Sequence, residues 1–219
     1  MKRNQQPKGF LQKGLLLSCV TFTSIAASAA SFSLEYQGFY QRLKKVEQGH
    51  FQLVDMAFFV PNKQECRIMS GNISTEKHSY PLTYNNEQQL YLPFDARLKS
   101  DRALINMEIE GDVKHCGIMM QVRVKHPKKA YKADSIKQIQ NEMNGLLKSM
   151  QGFPMKYFFK PISGLNIEFD EPTQVSIDGI QVFVGEKFHL GHKKIEQLST
   201  MTFSHEPKLM SPWFESDKS

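Results

Sequence analysis

Between Phe51 and His126 the sequence is cut into short apolar runs by turn residues, and this spacing most limits what the chain can fold into. FQLVDMAFFV (51–60) stops at Pro61-Asn62, and QECRIMSGNIS occupies 64–74. SYPLTY (79–84) and QLYLPFD (89–95) flank the polar NNEQ, as the arms of a hairpin flank its tip. ALINMEIE (103–110) alternates, placing Ala103, Ile105, Met107 and Ile109 on one face and Leu104, Asn106, Glu108 and Glu110 on the other. After the turn residues Gly111-Asp112, CGIMMQVRVKH (116–126) alternates through Ile118, Met120, Val122 and Val124. Successive side chains of a strand point to opposite faces, so such patterns bounded by Gly, Pro and Asn predict half-buried strands. Several of them in succession predict an antiparallel, sandwich-like body.

Two stretches carry the helical period instead. In 33–50, Tyr36, Phe39, Tyr40, Leu43 and Val46 recur at three- and four-residue steps, with Ser33 placed to cap the start and Gly49 to stop it. In 134–150, Ile136, Ile139, Met143, Leu146 and Met150 form a stripe that Gly152 and Pro154 end. PKKAYKAD (127–134) reads as a linker. Strands return at 156–160, 165–169, 174–178, 180–185 and 199–204. The expected fold is α+β: mainly antiparallel β, sandwich-like, with two amphipathic helices. The expected division is a signal peptide over 1–29, a helix plus β-sandwich-like domain over 30–126, and a helix plus antiparallel β domain over 127–219.

The leader decides the compartment. Lys2, Arg3, Lys8 and Lys13 precede an uncharged run from Gly14 to Ala30 that ends in small residues, the order of a secretory signal cleaved after Ala29 or Ala30. The run holds Ser18, Thr21, Thr23 and Ser24 and is short of the roughly 20 apolar residues a membrane span takes. Leu16-Leu17-Ser18-Cys19 resembles a lipoprotein box, in which Cys19 would be lipidated instead of removed, but Lys13 lies only six residues before it. No later segment is long and apolar enough to cross a membrane. The leader takes with it four of the 28 basic residues and none of the 22 acidic ones, so the net charge falls from +6 to +2. The basic balance is therefore the leader's, and it does not argue for a nucleic-acid partner.

Export also bears on the cysteines. Cys66 and Cys116 remain after cleavage, and two cysteines in an oxidising compartment most simply pair. Closing a loop of about 50 residues contributes roughly 4 kcal/mol through the entropy of the unfolded chain. Neither lies in a CxxC, and four spaced ligands for a structural metal are lacking.

The search for chemistry yields candidates and no motif. His189-Leu-Gly-His192 is the closest histidine pair, without an HExxH carboxylate. Asp55 is an acid in the otherwise apolar LVDMAFFV, where a buried carboxylate must find hydrogen bonds. Ser163-Gly164 lacks the first glycine of GxSxG, and GxxxxGK[ST] does not occur. Arg123, Lys125, Lys128, Lys129 and Lys132 form a basic run fit for anionic headgroups or for plain solvent. No residue is assigned a catalytic, metal or cofactor-binding role, and no cofactor is expected.

Taken together, YxxFYxRLKK (36–45, with Phe39 and Tyr40), LPFDARL (92–98), Cys116, PxxGLNIEF (161–169) and SPW (211–213) resemble a family of secreted gammaproteobacterial proteins catalogued only as a domain of unknown function. The resemblance runs over about residues 31 to 214. It implies a bacterial periplasmic or envelope protein and carries over no catalytic residue. The sequence expectation is thus a periplasmic, non-catalytic binding or envelope-maintenance module whose partner is an unidentified envelope protein, glycan or lipid. The alternative is an envelope hydrolase built on a carboxylate or histidine site, with Asp55, His189 and His192 as first suspects.

Overall fold

The computed structural model describes residues 29–61, 63–112 and 115–215. The leader through Ser28, Cys19 included, lies outside the described residues; Ala29 and Ala30 are the first two residues of the first strand. In chain order the elements are β1 (Ala29–Glu35), α1 (Tyr36–Gly49), β2 (Val54–Phe59), β3 (Arg67–Ser74), β4 (Ser79–Pro81), β5 (Thr83–Tyr84), β6 (Gln89–Tyr91), α2 (Ala96–Ser100) and β7 (Leu104–Glu110). The chain continues with β8 (Met119–Val124), β9 (Ala130–Lys132), α3 (Ala133–Met150), β10 (Gly164–Ile177), β11 (Ile180–Gly191), α4 (His192–Gln197), β12 (Thr200–Phe203) and β13 (Leu209–Trp213). The class is α+β, and every strand pairing is antiparallel.

Among the described residues three sheets form, in the orders β1-β7-β3-β4, β5-β6-β2-β8 and β11-β10-β12-β9. The alternation in 103–110 is realised: Ala103, Ile105, Met107 and Ile109 are buried, whereas Glu108 accepts a hydrogen bond from the Ser70 hydroxyl and Glu110 pairs with Arg67. Each aliphatic side chain buried this way is worth about 1.5–3 kcal/mol. The hairpin across NNEQ is present as β5 against β6. The fourteen-residue β10 has β11 along one edge; its other edge is shared, β13 covering Gly164 to Glu168 and β12 covering Val175 to Ile177.

α3 is the hub. Ile136, Ile139, Met143 and Leu146 are buried as the stripe predicts, and the helix packs on α1, α4, β2 and β8. The Glu142 carboxylate accepts from the Leu53 and Val54 N–H groups at 2.8 and 3.1 Å, tying α3 to the start of β2. One connected cluster of buried side chains runs from Tyr36 to Met210.

The disulfide joins Cys66 to Cys116, with Cα atoms 5.6 Å apart. It bridges the lead-in to β3 and the lead-in to β8, so it ties the first sheet to the second. Beside it a Cβ on Gly111, at φ +137, would stand 1.9 Å from the Glu65 carbonyl oxygen, a place only glycine fills. The buried Gln88 amide knits the same corner, accepting from Ile68 N–H and donating to the Val60 and Cys66 carbonyls.

Several local expectations are corrected. Ser33 does not cap a helix: it lies in β1, and α1 begins at Tyr36 after Glu35. The apolar residues Phe32 and Leu34 alternate, and pairing with β7 outweighs the helical period there. The linker 127–134 contains β9, which pairs with β12. The strand expected at 156–160 is a 3-10 turn over Met155–Phe158, following Pro154, whose ring supplies no N–H to a ladder. The two strands expected at 165–169 and 174–178 are one strand, β10, irregular in register between Glu168 and Thr173.

Candidate functional site

The most elaborated recess is a cleft of about 790 Å³ at the junction of α3, the 161–163 segment, the β11–α4 corner and the end of β13. The close approach of strands shapes its floor. Gly164 opens β10 opposite Gly191, and a Cβ there would stand 2.1 Å from the Leu190 carbonyl oxygen. Gly191 keeps its own Cα bare beside Trp213, whose ring a Cβ at 191 would meet at 3.8 Å. The backbone is knitted around this point: His192 N–H donates to the Ser163 carbonyl at 2.7 Å, and Ser163 N–H donates to the Trp213 carbonyl at 2.8 Å. The Ser163 hydroxyl accepts from Glu215 N–H at 2.9 Å, and the Asn144 side-chain amide oxygen Oδ1 accepts from Ile162 N–H at 2.9 Å. Trp213 is held by stacking on His189, with ring centroids 5.1 Å apart.

Gln140 stands out in the wall. It is 4% exposed, and its amide oxygen faces His192 Nδ1 at 3.2 Å. Its amide nitrogen is the one buried side-chain polar atom among the described residues without a hydrogen-bond partner. A buried amide donor needs a partner, since leaving one unmade costs about 1–3 kcal/mol.

The sequence suspects separate. His192 lines this cleft as the partner of Gln140, whereas His189 is not part of its lining and stacks on Trp213, which is. Asp55 is elsewhere, half-buried in β2, where its carboxylate accepts from the following Met56 N–H at 2.7 Å and its cross-strand neighbour is Arg123. No group of three or more His, Cys, Asp or Glu side chains able to hold a metal occurs among the described residues. Arg123 is bound to Gln89, and Lys125 donates to the Phe51 carbonyl, which takes both out of the basic run. Gln140, Asn144 and the Trp213 ring were not picked out as a site by sequence. Gln140 carried a legible signal: it is four residues after Ile136 and three before Met143, on the inward face of α3.

A second, smaller recess of about 370 Å³ lies beside the disulfide, walled by Phe32, Leu34, Phe39, Ile118 and Met120 with Arg42 at its rim. The Arg42 guanidinium donates to the Gly38 carbonyl at 2.8 Å, one turn back on α1. It offers apolar walls and one cation, with fewer converging groups than the cleft.

The fold and the cleft define an α+β protein, mainly antiparallel, with a recess of mixed polar and apolar lining that carries one aromatic ring. The family described as "Protein of unknown function (DUF2987)" matches residues 28–169, more than half of the chain, and the chain belongs to that family. The match takes in YxxFYxRLKK, LPFDARL, Cys116 and PxxGLNIEF, and stops before SPW. No curated protein and no solved structure matches the chain. The matched region supplies Gln140, Asn144 and the 161–163 segment of the cleft, while His189, His192 and Trp213 lie beyond it.

Proposed function

We propose that this chain is a periplasmic, non-catalytic binding module of the cell envelope, from a secreted gammaproteobacterial family, and that its ligand is a sugar unit of an envelope glycan held in the cleft around Gln140 and Trp213. The observation that carries this reading is the orphaned Gln140 amide in the wall of a recess bordered by Asn141, Asn144 and an aromatic ring. Amide side chains and an aromatic face complement hydroxyls and the C–H face of a pyranose, since few ordered polar groups beside an apolar ring make an orienting site. Export supports the glycan as partner: the basic, uncharged and small-residue segments of the leader follow the order of a secretory signal, and the Cys66–Cys116 bond suits an oxidising compartment. His189 and His192 hold other side chains in place, which supports binding over hydrolysis.

Trp213 is the only tryptophan in the chain, so its fluorescence reports the cleft directly. Titration with soluble peptidoglycan fragments is expected to give a saturable fluorescence change that Gln140→Ala weakens, and calorimetric titration is expected to show weaker binding by Trp213→Phe. Mass spectrometry of the incubated fragments is expected to show no product. No fluorescence change would overturn the reading, and fragments cleaved by the wild type but spared by His192→Asn would establish the hydrolase instead.

A further inference from the structure

A separate surface lies on the segment between α3 and β10. Phe153, Met155, Tyr157 and Phe158 are 82%, 60%, 70% and 73% exposed, the densest group of bared large apolar side chains among the described residues. Single exposed apolar residues need no explanation, but a contiguous group marks an interaction site. The charge along this stretch of the chain has one sign. From residue 143 to 167 the chain has Lys148, Lys156 and Lys160 and no Asp or Glu, and all three lysines are exposed. The Lys156 ammonium sits 5.1 Å from the centroid of the Tyr157 ring, so cation and aromatic face the same way.

The other exposed apolar row is differently set. Ile180, Val182 and Val184 stand on β11, at the edge of its sheet, with Asp178 before them and Glu186 after them. An acid-flanked edge suits pairing with another strand, whereas aromatic side chains interleaved with lysines are what a membrane–water interface selects: rings at headgroup depth, ammonium groups among the phosphates.

We propose that residues 152–160 form a membrane-surface anchor that lays Phe153, Met155, Tyr157 and Phe158 into the interface of an anionic phospholipid bilayer while Lys148, Lys156 and Lys160 meet its phosphates. The anchor is independent of the glycan reading. Pro161, the residue after Lys160, borders the cleft, so an anchored protein holds that cleft close to the lipid.

The test is co-sedimentation of the full chain with vesicles of phosphatidylglycerol and phosphatidylethanolamine, beside vesicles of phosphatidylcholine alone. Binding is expected to the first set, weakening as salt rises. Phe153→Ser with Tyr157→Ser and Phe158→Ser is expected to weaken it by more than about tenfold. Lys148→Gln, Lys156→Gln and Lys160→Gln together are expected to cost roughly fivefold per lysine. Ile180→Ser with Val182→Ser and Val184→Ser is expected to bind as the wild type does. Unchanged circular dichroism and Trp213 emission verify that each variant is folded. Equal binding to phosphatidylcholine, or wild-type binding by the aromatic variant, overturns the anchor. A photo-crosslinker at position 158 that captures an envelope protein, with vesicle binding unaffected by the serine changes, reassigns the surface to protein docking and overturns it equally.

Discussion

Two stretches of this chain are built from nearly the same side chains and live in opposite surroundings. α1 carries Tyr36, Phe39 and Tyr40; the segment after α3 carries Phe153, Tyr157 and Phe158. In α1 the rings face inward: Tyr36 is fully buried, Phe39 meets Phe58 edge-on at 5.2 Å, and Tyr40 stacks on Phe94 at 4.9 Å. In the later segment the rings face out, and the ring contact there is between Phe153 and Tyr157, 6.1 Å apart. Composition does not separate the two. Local structure does: α1 is a fourteen-residue helix that lays its rings along the core, whereas the later rings flank Pro154 and a single 3-10 turn with no sheet beneath it. Burial then follows from having a sheet to lie on, and exposure leaves the rings for something outside the chain.

The comparison is broken most sharply at Tyr36. Its hydroxyl donates to the Pro93 carbonyl and accepts from Asp95 N–H at 3.0 Å, and burial pushes its pKa up. Tyr36→Ala is expected to cost up to about 5 kcal/mol in urea unfolding, since it empties a core position and orphans two backbone groups. Removing the disulfide with Cys66→Ala and Cys116→Ala should cost about 4 kcal/mol, the entropy of closing a loop across a separation of 50 residues.

A third buried ring sharpens the contrast through pH. Tyr131 is 7% exposed, and burial pushes its hydroxyl from 10.0 up to about 12, partly offset by a hydrogen bond from Lys128 N–H. A pKa raised on folding gives stability that is complete below pH 10 and is lost as pH rises toward 12. Tyr131 should therefore contribute a fall of about 2–3 kcal/mol over that window in unfolding titrations, which Tyr131→Phe removes, leaving the smaller fall due to Tyr36. Gln140→Met is expected to raise stability by about 1 kcal/mol, because it removes an unpaired buried amide, while weakening ligand binding in the cleft. Smallest of all, Phe158→Ser should leave stability within about 0.5 kcal/mol of wild type, as for an exposed position with no packing to lose.

Much of this fold was legible, and the reasons for the exceptions are physical. Alternation at 103–110 and the stripe of α3 gave their buried faces correctly because one face of each meets the core. The start of α1 was misplaced because Ser33 is a good cap in isolation and only pairing with Asn106 across β7 makes it a strand residue. The reach of β10 was hidden because Asp170, Glu171 and Pro172 look like a turn; the strand runs through them with an irregularity that no local propensity signals. For the cleft, sequence supplied His189 and His192 but not their partners, since Trp213 and Gln140 arrive from segments far away in the chain. Asp55 drew notice for its apolar neighbours, and a hydrogen bond from the next residue's N–H is enough to settle it.

The contrast rests on Tyr36 and Phe58 being buried while the rings of 153–158 stand open to solvent. Hydroxyl-radical footprinting of the full chain, read by mass spectrometry with and without phosphatidylglycerol-containing vesicles, measures both at once. The expected result is fast oxidation of Phe153, Met155, Tyr157 and Phe158, slow oxidation of Tyr36 and Phe58, and protection by vesicles confined to the first set. Slow oxidation of the 153–158 residues in free protein, or the same rates with and without vesicles, would contradict it.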